Sequence, residues 1–147
     1  MHRVSSTSAR RRDDSGAAAV EFALVSMLLF ALLFGVVQYG FYFWSMQAGS
    51  AAVREAARQA AVGNLSCTEL DTFVADRLGP ASFGGSIDAT RTFPATPKVG
   101  DTVTISVSFN SLDLNLPLVP LPDDAAIHQD AQTRVENVNA VKSVSCP

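Results

Sequence analysis

Between Glu21 and Arg54 the chain contains no Asp, Glu, Lys or Arg. About 20 apolar residues cross the hydrocarbon core of a bilayer, so this run has residues to spare. No other feature restricts the fold as much. No proline occurs before Pro80, so nothing forces a break in a helix laid through the run. The part beyond the predicted long helix is only about 85 residues, a size at which a single core is small and gains from a covalent staple.

The basic residues orient the run. Arg3, Arg10, Arg11 and Arg12 all precede it, which by the positive-inside rule keeps the N-terminus in the cytoplasm and puts the C-terminal part outside. Asp13 and Asp14 change this little, because acidic residues contribute little to orientation. The formal charge of -3 argues for no polyanionic partner. The outer part carries no basic stripe, so nucleic acid is not implied.

Residues 1–15 are rich in Ser, Arg and Asp, lack apolar periodicity and read as a short disordered cytoplasmic leader. From residue 17 to about 62 we expect one helix, roughly 70 Å long at the α-helical rise. Its first half is apolar, and Tyr39, Phe41, Tyr42, Phe43 and Trp44 gather near the far end of the apolar part. A belt of aromatics at the outer interface accounts for that cluster, and so does helix packing. The continuation "SMQAGSAAVREAARQAAVG" is rich in Ala, Arg, Glu and Gln, all favourable in helices. Within it Ala48, Ala52, Ala56 and Ala60 recur every fourth residue and form one narrow stripe. Small residues let helices approach closely. The stripe therefore faces either a neighbouring subunit or the protein's own outer sheet. Gly63 and Asn64 supply the stop.

Beyond the stop, "CTELDTFVADRLG" places Leu70, Phe73, Val74 and Leu78 at helical spacing, which predicts a second helix ending at Gly79-Pro80. "SFGGS" reads as a turn and "SIDATRTF" as a strand. "DTVTISVSFN" is the clearest strand, with Val103, Ile105, Val107 and Phe109 alternating with Thr and Ser. "LDLNLPLVPLPDD" carries Pro117, Pro120 and Pro122, cannot sit in a central strand and reads as an extended loop with exposed leucines. A last strand is expected around "HQDAQTRVEN". The fold class is therefore α+β: a long N-terminal transmembrane helix (17–62) runs into a small extracytoplasmic domain (63–147) with a short antiparallel sheet.

Cys67 and Cys146 are the two cysteines, and both fall on the predicted outer side, where disulfides persist. A bridge between them is the one intramolecular pairing available. It would stabilise by about 4 kcal/mol in the chain-entropy model. Two unpaired thiols are the alternative.

Catalytic and cofactor chemistry find no support. His128 stands without a Cys or a second His nearby, so no metal ligand set is visible. No nucleophile elbow is present, and "FGGS" is not followed by the Lys-Ser/Thr of a phosphate loop. Asn64-Leu65-Ser66 matches a glycosylation sequon, a match common by chance. We expect no enzyme, no cofactor and no metal.

The membrane segment is unusual in carrying Glu21 near its head. An unpaired carboxylate in hydrocarbon costs several kcal/mol. A secretory signal explains it poorly, because such apolar regions run about 7 to 15 residues. An ordinary single-pass anchor needs neither Glu21 nor a helix twice the bilayer thickness. The arrangement "RRRDDSG" then "AAAVEF" is a basic leader, a small residue, a Glu at the fifth position after it and an aromatic, Phe22. It resembles the leader of type IV prepilins. "AAAVEFALV", the apolar run and "AAVREAARQAAVG" together resemble the TadE family of the tight-adherence (Tad/Flp) pilus system over residues 16–63. Relatives often carry a proline shortly after "EFALV" and an acid near the position of Gln38. Here Ser26-Met27 and Gln38 stand in those places.

The resemblance implies a pilin-like minor pilin or pseudopilin in the cytoplasmic membrane, with residues 1–16 as a leader removed between Gly16 and Ala17 by a prepilin peptidase. It also implies Flp-type pilin, other minor pilins and an inner-membrane assembly platform as partners. The new amine of Ala17 would lie one turn from Glu21 on the same helix face, and Glu21 with Phe22 would set subunit register. Removing residues 1–16 takes four of the 11 basic and two of the 14 acidic residues, so the formal charge moves from -3 to -5 before the new amine is counted. Without processing, Glu21 reaches the headgroups from one turn inside the inner interface. The protein is then a single-pass membrane protein whose outer domain is a binding or scaffold module.

Overall fold

The computed structural model describes residues 10–116, 119–139 and 142–146, with side chains from residue 16 onward. Most of the expected leader, residues 1–9, lies outside the described residues. The elements in order are helix α1 (Arg10–Ala61), helix α2 (Cys67–Leu78), a 3-10 turn (Gly79–Ser82), strand β1 (Ile87–Thr92), strand β2 (Thr102–Asn110), a second 3-10 turn (Pro122–Ala125) and strand β3 (Ala126–Arg134). The expected α+β class holds. The chain divides into two units that meet inside α1, between Val37 and Gln38.

The first unit is the apolar part of α1. Val20, Phe22, Leu24, Met27, Leu28 and Val36 are all more than half exposed, a pattern that water does not tolerate on one helix and lipid does. From Ala17 to Val37 the helix has roughly 21 residues and spans about 31 Å, the thickness of a hydrocarbon core. The helix already includes Arg10, the first described residue, ahead of the start expected near residue 17. Arginine is a good helix former, and Gly16 costs only about 1 kcal/mol relative to Ala inside a helix. Ser26 sits where the family resemblance leads one to expect proline. Its hydroxyl donates to the carbonyl of Phe22 at 2.6 Å and of Ala23 at 3.2 Å. The helix runs through unbroken, and the hydroxyl is satisfied by the helix's own backbone.

The second unit, Gln38–Pro147, contains an antiparallel meander in the order β1-β2-β3. Ala89 pairs with Val107 and Ile105 with Ala131. On β2, Val103, Ile105, Val107 and Phe109 are buried and the residues between them are not. Two helices cover this face. The C-terminal part of α1 contributes Ala52, Val53, Ala56, Ala57 and Ala60, and α2 contributes Leu70, Val74 and Leu78. On β3 only Ile127 is fully buried. The strand lies at the sheet edge, so its sequence alternation is weak.

Two glycines hold this packing in place. Gly49 on α1 faces the sheet. A Cβ there would lie 2.8 Å from Cε1 of Phe109 and 3.2 Å from Cγ of Gln129. Phe109 is itself buried, so its ring has little room to yield, and any larger residue at 49 would separate helix from sheet. Gly63 takes φ +72° and closes α1. Its N–H donates to Ala60 O at 3.1 Å, and Asn64 N–H donates to Gln59 O at 3.0 Å. This is the Schellman arrangement that glycine permits.

The loop before β3 packs more closely than expected. Leu114 is exposed, whereas Leu112, Leu116 and Leu121 are half-buried. The extended backbone hydrogen-bonds to side chains of α1, at Gln38 and Tyr39.

Candidate functional site

Three places on the chain are candidates: the head of the apolar helix, the point where the second unit begins, and the corner that holds the cysteines.

At the head, Gly16, Ala17, Glu21 and Phe22 are all exposed. Nothing lies within 4 Å of where a Cβ on Gly16 would be. Ala17 and Glu21 are four residues apart in one continuous helix, so they share a face. Among the described residues Glu21 has no hydrogen-bond or ion-pair partner. The Gly16–Ala17 bond lies inside α1. A protease acting there must first open a helical turn, and no tertiary contact at Gly16 opposes it.

At the start of the outer unit, Gln38 is fully buried. Its Nε2 donates to Asp113 Oδ1 at 3.3 Å and to Val119 O at 3.2 Å. One residue on, the Tyr39 hydroxyl donates to Pro120 O at 2.9 Å. The proline-rich loop is thus fastened to the helix at the first residues after the exposed apolar stretch. An acid at position 38 would face Asp113 as a like charge, whereas the amide supplies a donor. The aromatic cluster is shared between two environments. Phe83, in the turn after α2, packs edge-on against Phe41 at 5.6 Å and Trp44 at 6.0 Å. Tyr39, Phe43 and Trp44 keep more than a third of their surface exposed. The Ser45 hydroxyl, buried on α1, donates to Ala81 O at 2.8 Å.

The alanine stripe is used within the chain. Ala52, Ala56 and Ala60 are buried in the core cluster, and Ala48 packs against it half-buried. Of the two partners left open for this stripe, the protein's own sheet takes it.

Cys67 and Cys146 are joined, with their Cα atoms 5.6 Å apart. The sequence pattern gave no hint of the residue that organises this corner. Arg91 on β1 is fully buried. Its Nε donates to Val144 O at 3.0 Å, its Nη1 to Leu65 O at 2.6 Å and its Nη2 to Cys67 Sγ at 3.5 Å. Its backbone pairs with Cys146 in both directions, at 3.1 and 2.8 Å. One side chain therefore ties the loop between α1 and α2, the start of α2 and the C-terminal tail together. Within "SIDATRTF" an arginine reads as an outward polar residue, and strand alternation gives no sign that the tail folds over it.

A second feature was legible and overlooked. Ser66-Cys67-Thr68-Glu69 is a Ser-x-x-Glu capping pattern ahead of a helix. Ser66 N–H donates to Glu69 Oε2 at 2.8 Å and its hydroxyl at 2.6 Å. These bonds, with Lys142 nearby, hold the Glu69 carboxyl at a pKa of about 2. A carboxylate depressed in the folded state contributes stability that is complete above its ordinary pKa and is lost as pH falls through the folded value. The unfolding midpoint of the outer unit should therefore fall between pH 4.5 and about pH 2, and Glu69→Gln should flatten that segment of the pH profile. An identical profile in the variant would remove Glu69 from the acid response.

One helix is apolar and long enough to cross a bilayer, which fits a single-pass membrane protein, and the chain continues into an α+β unit stapled by a disulfide. Residues 16–58 match the family model described as TadE-like protein, as the two motifs at the ends of that segment led one to expect. No curated protein and no solved structure matches the chain.

Proposed function

We propose that the chain is a TadE-like minor pilin or pseudopilin of a Tad-type pilus or secretion apparatus, and not an enzyme. It is inserted in the cytoplasmic membrane with its N-terminus inside, and the α+β unit lies outside. The observation that carries the reading is the head of α1. A basic leader ends at an exposed glycine, and the only carboxylate of the membrane segment lies one turn from the residue after that glycine. Cutting after Gly16 creates an amine at Ala17, and that amine and Glu21 neutralise each other within a subunit or between neighbours. The charges that resist extraction from the membrane, Arg3 and Arg10 to Arg12, leave with the leader. The prepilin peptidase, the Flp-type pilin and the assembly platform are the partners this reading requires.

The exposed residues from Ala17 to Val37 are then the face for neighbouring subunits, because the alanine stripe is already covered. The covered stripe also suits a second reading, an unprocessed membrane protein whose outer unit is a scaffold. The mature N-terminus separates the two. Mass spectrometry of the protein from its native host should find Ala17 as the first residue. A chain that retains residues 2–16 rejects processing and leaves the scaffold reading.

A further inference from the structure

Arg91 is a buried cation that makes no ion pair among the described residues. Burial pushes its pKa below the ordinary guanidinium value, yet an arginine keeps its charge in proteins. Its partners are two carbonyls, the ring of Phe93 at 5.3 Å and the sulfur of Cys67. Charges buried this way are ordinarily paired, and among the groups the guanidinium contacts the one able to become an anion is Cys67. Cys67 is also the first residue of α2, where unpaired N–H groups and the helix dipole favour negative charge. A guanidinium and a helix N-terminus each lower a thiol pKa. Cys146 has neither. It is buried in the tail, which disfavours a thiolate; a carbonyl lies 3.8 Å from each sulfur, Ser145 O from that of Cys67 and Val144 O from that of Cys146, and so does not separate them.

The geometry points to Cys67 as the reactive end of the bridge: a thiol–disulfide exchange site that takes an oxidised dithiol partner, with Arg91 as its positioning cation and Cys146 as the resolving thiol. The Cys67 thiolate attacks one sulfur of the partner's disulfide, forming a mixed disulfide and releasing the partner's other sulfur as a thiolate. The Cys146 thiolate then attacks Cys67 Sγ, forming the Cys67–Cys146 bond and expelling the partner's remaining sulfur. Two electrons pass to the partner, which leaves as a dithiol after taking up the two protons given up by Cys67 and Cys146. Cys67 is half-buried and reachable from solvent. Other charges near it are Glu69 and Asp71 on α2 and Lys142 in the tail. Glu69 is taken up by Ser66 and lies 3.5 Å from Lys142, which reduces its opposition to a thiolate. The inference rests on this corner alone and stands apart from leader processing.

The test uses the full chain in detergent. In Cys146→Ser, the rate of Cys67 alkylation by iodoacetamide is followed against pH by mass spectrometry. We expect half-maximal rate about one pH unit or more below the ordinary thiol value of about 8.5, and a return toward that value in Cys146→Ser/Arg91→Met. A profile no lower than that of the guanidinium-unfolded chain, or one that Arg91→Met leaves in place, overturns the assignment. Because Arg91→Met also strips two carbonyls of a donor, a wild-type measurement stands beside it. Reduced wild-type chain given limiting glutathione disulfide should take its first adduct at Cys67, with a preference over Cys146 of about tenfold near pH 7 that shrinks toward pH 10. A constant preference would mark access alone and overturn the role of charge, as would equal labelling.

Discussion

Replacing Cys67 and Cys146 together by serine is expected to lower the unfolding free energy of the outer unit by about 4 kcal/mol. The bridge closes a loop over a separation of 79 residues, most of the outer unit, so the denatured chain without it gains a large conformational freedom. That loss is a large share of the roughly 5–15 kcal/mol that stabilises an ordinary domain, and this unit has a small core to which α1 contributes mostly alanines. Trp44 is the single tryptophan and packs on Phe83, so its fluorescence reports the transition. Denaturant titration in detergent should give a lower midpoint for the serine variant, and reduction should shift the wild type by a similar amount. A change below about 1 kcal/mol would mean that Arg91 and the tail hold the corner without the bond.

Glu21→Ala is expected to abolish or nearly abolish pilus assembly and to leave membrane insertion intact. Insertion depends on apolar length, and losing a carboxylate only favours it. Assembly in the proposed reading needs a partner for the Ala17 amine. Without Glu21 that charge enters a hydrophobic bundle unpaired, at a cost of several kcal/mol per subunit, which is several orders of magnitude in an assembly constant. Glu21 is exposed, and its side chain has no partner among the described residues, so its removal disturbs no contact among them. Membrane fractionation and pilus counts on the same cells measure the two effects. Normal piliation in Glu21→Ala would remove the pairing idea. Loss of the protein from the membrane would show that Glu21 serves insertion instead.

The elements legible in the sequence are those governed by local rules. The α1 stop follows from Gly63, β2 from strict alternation, α2 from Leu70, Phe73, Val74 and Leu78 on one face, and the membrane stretch from the absence of charge between Glu21 and Arg54. The errors and omissions are equally physical. The helical residues from Arg10 to Gly16 depend on helix propensity in a segment with no apolar pattern to mark it. Arg91 looks like a surface residue on a short strand because its neighbours come from residues 65, 67, 144 and 146, far away in the chain. Gln38 looks like a stray amide in an apolar run until Asp113 and Val119 arrive from the proline-rich loop.

By itself the sequence determined a run long and apolar enough to cross a membrane, its orientation signal, the family resemblance at its two ends and a small α+β unit beyond it, and it left the disulfide as one of two alternatives. Each of these rests on composition, period or spacing within a few turns of chain. Only the tertiary structure decided what the alanine stripe packs against, where the aromatic cluster divides between exposed surface and protein, and which side chain guards the disulfide. Those outcomes depend on contacts between residues tens of positions apart. Local propensity carries no information about which distant surface will close over a given face.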